Sequence, residues 1–121
     1  MAEIKSYKDL DVWKLSIEQC VLLYELTRSF PKDELYGIIS QIRRAAVSIP
    51  SNISEGYSRR SSKEKAHFIN IAIASNSEVE THIIISQKLN YIKDPDKINN
   101  IMELNDHIGR AMTKLYMALT K

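Results

Sequence analysis

The sequence has little of what builds turns, cross-links or membrane spans. Its 121 residues include three glycines, three prolines and one cysteine, Cys20. Because one thiol cannot form an internal disulfide, a reducing compartment is the natural setting. So few turn residues indicate a small number of long elements, which favours helices.

Long hydrophobic runs are also missing. The first residues contain no apolar stretch of signal-peptide length. Nowhere do apolar residues approach the roughly 18 that a membrane span needs. The longest apolar region of helical character, residues 69–85, is interrupted by Asn70, Asn76, Glu78, Glu80 and His82. These absences predict a cytoplasmic protein without a membrane partner.

The length fits one domain with one core. Hydrophobic residues make up 44% and charged residues 26% of the chain, as in ordinary globular proteins. Residues 1–8 have no periodic pattern, whereas apolar residues recur with helical spacing from residue 9 onward. The pattern therefore predicts a tail over 1–8 and a single domain over 9–121.

Apolar residues at alternating spacings of three and four predict four helices. In the first helix, one stripe contains Leu10, Trp13, Ile17, Cys20 and Tyr24, and a second contains Val12, Leu15, Leu22 and Leu26. The second helix opens near Asp33 with the stripe Leu35, Ile38, Ile42, Ala45 and Ile49, widened by Ile39, Ala46 and Ile53. The inner face expected for the third helix is Phe68, Ala72, Ser75, Val79, His82, Ser86 and Leu89. The fourth stripe is Ile98, Ile101, Asn105, Ile108, Met112, Leu115 and Leu119.

Local signals set the helix ends. Pro50 predicts a kink at Ser48–Pro50, and Gly56 predicts the end of the second helix. Ser61 with Glu64 is a capping-box pattern for a third helix that runs to about Tyr91. Asp94-Pro95 is an N-cap followed by proline at the first helical position. Short connections between four helices predict an all-α, antiparallel up-down-up-down four-helix bundle.

No residue pattern indicates catalysis, so neither a metal nor a cofactor is expected. A di-iron bundle needs two Glu-x-x-His motifs, and the chain has one, Glu64 to His67, where Glu64 already serves the helix cap. Cys20 lies on an apolar stripe, where a free thiol behaves as a small hydrophobe. His82 is interpreted as a hydrogen-bonded core or interface histidine.

Positive charge is concentrated in residues 43–65. The chain carries a net charge of +2, whereas this segment has six basic residues against Glu55 and Glu64. Arginines and lysines in this arrangement can bind phosphates and dock a nucleic-acid backbone. The alternative is a solvated surface of internal ion pairs. The predicted nucleic-acid contacts are Arg43, Arg44, Arg59, Arg60, Lys63 and Lys65.

The most distinctive stretch is Gln41–Gly56, QIRRAAVSIPSNISEG. Together with Leu10–Lys14, Phe30-Pro31, Tyr36-Gly37 and Glu78–Thr81, it resembles a bacterial family of four-helix bundle proteins. The family was first noticed as reading frames within intervening sequences of large-subunit ribosomal RNA genes. It includes the accessory variability protein of diversity-generating retroelements.

The resemblance implies a homopentameric ring that uses the second apolar stripe of the first helix. It also implies no known enzymatic activity for most members. For the retroelement member it implies association with nucleic acid and a reverse transcriptase. The motif residues Pro50, Asn52 and Gly56 would be structural, as kink, cap and helix stop. Arg43 would pair with Glu55, inside the bundle or across the ring.

Two functions remain open from the sequence. The first is a non-enzymatic, homo-oligomeric accessory protein that binds RNA or DNA, with a reverse transcriptase or another protein as a further partner. The second is a protein-interaction scaffold ring without nucleic-acid contact.

Overall fold

The computed structural model describes residues 6–121, and its regular structure is helical. The four main helices are α1 (Asp11–Thr27), α2 (Ser40–Tyr57), α3 (Ser62–Lys88) and α4 (Pro95–Leu119). Residues 6–121 contain no β-strand, so the all-α prediction is confirmed. No helix in this part of the chain is long and apolar enough to cross a membrane.

Each helix packs against the next along the chain, and α4 packs back against α1. Connections this short between helices this long place neighbours antiparallel, which gives the up-down-up-down bundle. Residues 1–5 of the predicted tail lie outside the described part. The rest of that tail forms a 3-10 turn, Tyr7–Asp9, whose N-cap Ser6 makes a complete capping box with Asp9.

The helix caps follow the sequence signals. Ser61 Oγ accepts a hydrogen bond from the Glu64 backbone N–H at 3.1 Å, and the Asp94 side chain accepts one from the Asp96 N–H at 3.0 Å. Helix α3 ends slightly before the predicted residue, because Asn90 adopts a left-handed backbone with φ of 62°. The Tyr91 N–H then bonds to the Ser86 carbonyl at 2.9 Å, which completes a Schellman motif.

The predicted second helix is divided. A 3-10 turn (Lys32–Glu34) and a π-helical segment (Leu35–Ile39) precede α2, and Gly37 has non-helical φ and ψ of −107° and −118°. A Cβ at Gly37 would lie 2.7 Å from Glu34 Oε1. Glu34 Oε2 in turn accepts a hydrogen bond from the Tyr91 hydroxyl at 2.9 Å, which links the α1–α2 connection to the α3–α4 connection. The absence of a Cβ at Gly37 leaves room for the Glu34 carboxylate in this position.

The α-helix continues through Pro50, and the non-helical backbone before it lies at Gly37. The predicted end of this helix was wrong. Gly56 does not stop the helix, which runs on to Tyr57. Gly56 is buried, and a Cβ there would lie 3.1 Å from Phe68 Cβ and 3.2 Å from the Lys65 carbonyl oxygen. Its role is therefore to let α2 and α3 approach closely beside their connection.

The core-facing side of α1 is rotated from the predicted stripes, and that of α3 is rotated in part, since Ala72, Val79 and Ser86 of its predicted face are buried. Ile17 and Tyr24 are 37% and 38% exposed, and Leu89 is 48% exposed. The buried residues of α1 are Val12, Ser16, Gln19, Leu23 and Thr27. Those of α3 are Ala66, Ile69, Ala72, Asn76, Val79, Ile83 and Ser86. The α4 stripe is confirmed, with Ile101, Asn105, Ile108 and Met112 buried.

A cluster of three buried amides explains that rotation. Gln19, Asn76 and Asn105, from α1, α3 and α4, are 1%, 5% and 2% exposed. Asn105 Nδ2 donates to Gln19 Oε1 at 3.2 Å and to Asn76 Oδ1 at 3.0 Å, while Asn76 Nδ2 donates to the Asn105 carbonyl at 2.9 Å. Because each amide has hydrogen-bond partners, these polar side chains can occupy buried positions at which an apolar pattern would predict hydrophobic residues.

Candidate nucleic-acid interface

The six predicted basic residues fall into two groups at opposite ends of α2. Arg43 and Arg44 lie in its first turns, beside the C-terminal half of α1. The other group consists of Arg59, Arg60, Lys63 and Lys65 and surrounds the α2–α3 connection and the start of α3. We call this group the basic end. The two groups are about 20 Å apart along the helix at 1.5 Å per residue.

Arg43 is held against α1. Its Nε donates to Thr27 Oγ1 at 3.0 Å and its Nη2 to the Tyr24 carbonyl at 3.4 Å. The guanidinium also lies 4.6 Å from the centre of the Tyr24 ring. Within the chain, Glu55 pairs with Arg59 rather than with Arg43, so the predicted intramolecular pair is wrong. Arg43 therefore joins the end of α1 to α2.

Arg59 combines an ion pair with an aromatic contact. It bonds to Glu55 one helical turn before it, and its guanidinium lies 4.8 Å from the centre of the Phe68 ring. Its Nε is shielded from solvent and has no acceptor among residues 6–121. A phosphate at this position would therefore have to use the terminal nitrogens. Arg59 is thus positioned by the α2–α3 contact and partly neutralised.

The other residues of the basic end make fewer contacts within the chain than Arg59 does. Arg60 and Lys63 are exposed, and neither forms an ion pair among residues 6–121. Lys65 is half-buried, with its ammonium 5.0 Å from the centre of the Tyr57 ring. A recess of about 500 Å³ between α3 and α4 brings His67 and Lys121 beside Lys63. The recess thus places His67 and Lys121, the latter just after the end of α4, next to the basic end.

The other motif residues join α2 to its neighbour. Asn52 Nδ2 donates to the Ser48 carbonyl at 2.8 Å and to Ser48 Oγ at 2.9 Å, and so it does not cap a helix end. Ser48 Oγ lies 2.9 Å from Ser75 Oγ of α3. These short polar side chains link α2 and α3 where both helices are closely packed.

Cys20 and His82 are the two single residues that the sequence offered as candidates for chemistry. Burial raises the pKa of the Cys20 thiol to about 11, which keeps it protonated and weakly nucleophilic at neutral pH. His82 is half-buried, and its backbone carbonyl accepts a hydrogen bond from Ser86 Oγ at 2.8 Å. In residues 6–121, no three His, Cys, Asp or Glu side chains are close enough to hold a metal ion.

A larger groove, of about 890 Å³, lies between α3 and α4 but carries both signs of charge. Glu80, Glu103 and Asp106 line it together with Arg110 and Lys114. The Asp106 carboxylate binds Arg110 and raises the pKa of its guanidinium. A mixed surface of this kind offers no uniform field for a polyanion.

Sequence reasoning did not single out Tyr36 as a surface feature. Its side chain is 93% exposed and borders the groove that contains Arg43 and Arg44. In the sequence, Tyr36 stands out only as part of the Tyr36-Gly37 pair that resembles the family. A helix starting at Asp33 would have made Tyr36 an ordinary helical residue. The π-helical segment that presents it follows Glu34, whose carboxylate accepts a hydrogen bond from the distant Tyr91.

The fold and the surface define a small all-helical bundle with a basic end. The family model described as 23S rRNA-intervening sequence protein matches residues 8–114, and the chain belongs to that family. The match spans all four helices except the last turn of α4. A search of curated proteins finds no match to this sequence.

Proposed function

We propose that this chain is a non-enzymatic, cytoplasmic, nucleic-acid-binding accessory protein that works as a homo-oligomeric ring of five copies. The observation that carries the proposal is the basic end, where Arg59, Arg60, Lys63 and Lys65 lie within seven residues at one helix connection. Of these four side chains, only Arg59 forms an ion pair within residues 6–121, so most of this charge is available to phosphates. The family description names 23S rRNA, which is in keeping with an RNA ligand.

Self-association is supported by an apolar surface on α1, where Ile17 and Val21 are 37% and 52% exposed. It lies on a different side of α1 from the stripe that the resemblance implied, of which Val12 is buried and Leu15 and Leu26 are partly buried against the core. Covering exposed apolar side chains with a second copy would stabilise an assembly.

A ring would also strengthen a weak ligand site. One basic end offers a few phosphate contacts, whereas five copies present them together to one polymer. Because the site is repeated, each chain does not have to be strongly basic, which agrees with its net charge of +2. A reverse transcriptase or another protein would act on the nucleic acid that the ring holds.

The test is binding of a structured RNA and of a DNA duplex over a salt series, with the oligomeric mass measured on the same sample. The variant Arg60→Ala/Lys63→Ala should weaken binding and reduce the log–log salt slope by about 0.9 per lost contact on duplex DNA. The matched control Lys88→Ala/Lys93→Ala removes two exposed lysines at the other end of α3 and should leave both unchanged.

A second candidate function is a scaffold ring that binds only protein. The apolar surface around Val21 and the internal engagement of Arg43 and Arg59 favour it. An assembled ring that binds neither RNA nor DNA at low salt would support this scaffold and exclude the nucleic-acid function.

A further inference from the structure

A groove of about 590 Å³ runs between the C-terminal half of α1 and the start of α2. Its volume falls within the roughly 300–1,000 Å³ range of small-ligand sites. The lining combines aromatic and aliphatic side chains with Arg43 and Arg44, and it includes no carboxylate among the described residues. A ligand for this groove would therefore be flat or apolar in one part and anionic in another.

Contacts with α1 hold the Arg43 side chain in place beside the groove. Arg43 is held by its bonds to Thr27 and to the Tyr24 carbonyl, and its guanidinium packs on the Tyr24 ring. These contacts use the guanidinium internally. Arg44 is one residue further along α2, is exposed, and has no ion pair among residues 6–121. The anion-binding capacity of this groove thus lies mainly with Arg44.

Tyr36 supplies the flat surface. At 93% exposed, its ring has almost no contact with the rest of the bundle. It is presented by the π-helical segment Leu35–Ile39, whose Glu34 end is anchored to Tyr91. Because the backbone beneath the ring is anchored, stacking of a planar group has to fix only the side-chain torsions of Tyr36, and π-helical segments are frequent at functional sites.

We propose that this groove binds one unpaired nucleotide, with the base stacked on Tyr36 and its phosphate on Arg44. The inference rests on the proposed nucleic-acid function and adds a preference for single-stranded segments. In a duplex both faces of a base are already stacked, whereas an unpaired base offers its face to an aromatic side chain. Stacking is tolerant of sequence, so the groove would not select one base.

The experiment compares oligouridylate with an abasic oligonucleotide of the same length, which keeps the phosphates but offers no base. Tyr36→Ala should weaken oligouridylate binding about tenfold and leave the abasic strand unaffected. Tyr36→Phe should bind like the original chain, because the ring is retained. Arg44→Ala should weaken both ligands, whereas Arg28→Ala, an exposed arginine on the turn after α1, should weaken neither.

Equal affinity of the original chain for both strands, or no effect of Tyr36→Ala, would overturn the inference. If duplex binding still depends on Arg60 and Lys63 in that case, the proposed function survives and only this groove assignment fails. A lower oligomeric mass for Tyr36→Ala would also overturn it, since the groove would then hold a second copy of the chain. Met117→Ala, which removes a 63% exposed side chain on α4, controls for general loss of apolar surface.

Discussion

The thiol of Cys20 in α1 donates a hydrogen bond to the Ala46 carbonyl oxygen in α2, with 3.0 Å between Sγ and O. That carbonyl is the one that Pro50, four residues later in a continuous helix, cannot satisfy, because proline has no backbone N–H. A neighbouring helix thus supplies the donor that the proline removes. The interaction gives the single cysteine a structural role.

The first prediction concerns this relationship. Cys20→Ala should lower the free energy of unfolding by about 1–3 kcal/mol, because the carbonyl of the buried Ala46 loses its partner and a small cavity forms. In a Pro50→Ala background the same substitution should cost less, since the alanine introduced there has a backbone N–H that can donate to the Ala46 carbonyl. Urea unfolding of the two single variants and the double variant measures this coupling.

Additive effects of the two substitutions in that cycle would show that Cys20 is only packing. Cys20→Ser is the companion variant, because its hydroxyl keeps a donor at the same position.

The second prediction concerns the pH dependence of the thiol. The folded protein raises the pKa of Cys20 from its ordinary 9.0 to about 11. The unfolded chain therefore ionises first, and this contribution to stability is complete below pH 9 and is lost between about pH 9 and 11. Thiolate absorbance should show the shifted titration, and alkylation at pH 8 should be much slower in the folded than in the unfolded protein. A titration near pH 9 in the folded state would contradict the buried, neutral thiol.

The third prediction concerns the amide cluster. Asn105→Asp should destabilise the bundle by about 2–4 kcal/mol at neutral pH, since it buries a carboxylate and removes the donor to Gln19 and Asn76. Burial should raise the pKa of the new carboxyl, so the loss should be smaller at acidic pH. Thermal unfolding over a pH series measures the effect. Asn100→Asp, at an exposed position on the same helix, should change stability by no more than about 0.5 kcal/mol.

The fourth prediction separates the two neighbouring arginines. Arg43→Ala should cost about 1–2 kcal/mol of stability, because it removes the bond to Thr27 and the contact with the Tyr24 ring. Arg44→Ala, at an exposed position, should stay within about 0.5 kcal/mol of the original chain. Chemical denaturation of both variants measures the two losses of stability, and equal losses would contradict the prediction.

The fifth prediction concerns the link between the interhelical connections. The hydrogen bond to Glu34 raises the pKa of the Tyr91 hydroxyl, because the neutral phenol is the donor and ionisation would place two negative charges together. Gly37→Ala would place a Cβ 2.7 Å from Glu34 Oε1 and should displace that carboxylate. NMR titration of labelled tyrosines should then show the pKa of Tyr91 falling towards its ordinary value, as it should in Glu34→Gln. An unchanged Tyr91 titration in both variants would exclude the link.

The sequence by itself determined the fold class, the four helices and most of their caps. Those properties follow from local causes: the three–four alternation of apolar residues, Ser61 with Glu64, and Asp94 with Pro95. It also determined that basic residues surround the α2–α3 connection, since that connection is local in the chain.

Only the tertiary structure decided which side of α1 faces the core and how far the core-facing side of α3 turns from the predicted one. Both helices carry apolar residues on several sides, and the choice depends on Gln19 and Asn76 meeting Asn105 from a distant helix. The same is true of Arg43, held by Thr27, and of Arg44, left at the surface, although the two are adjacent in the sequence. Partners far apart along the chain set these outcomes, because a buried polar group is stable only where a specific acceptor or donor reaches it.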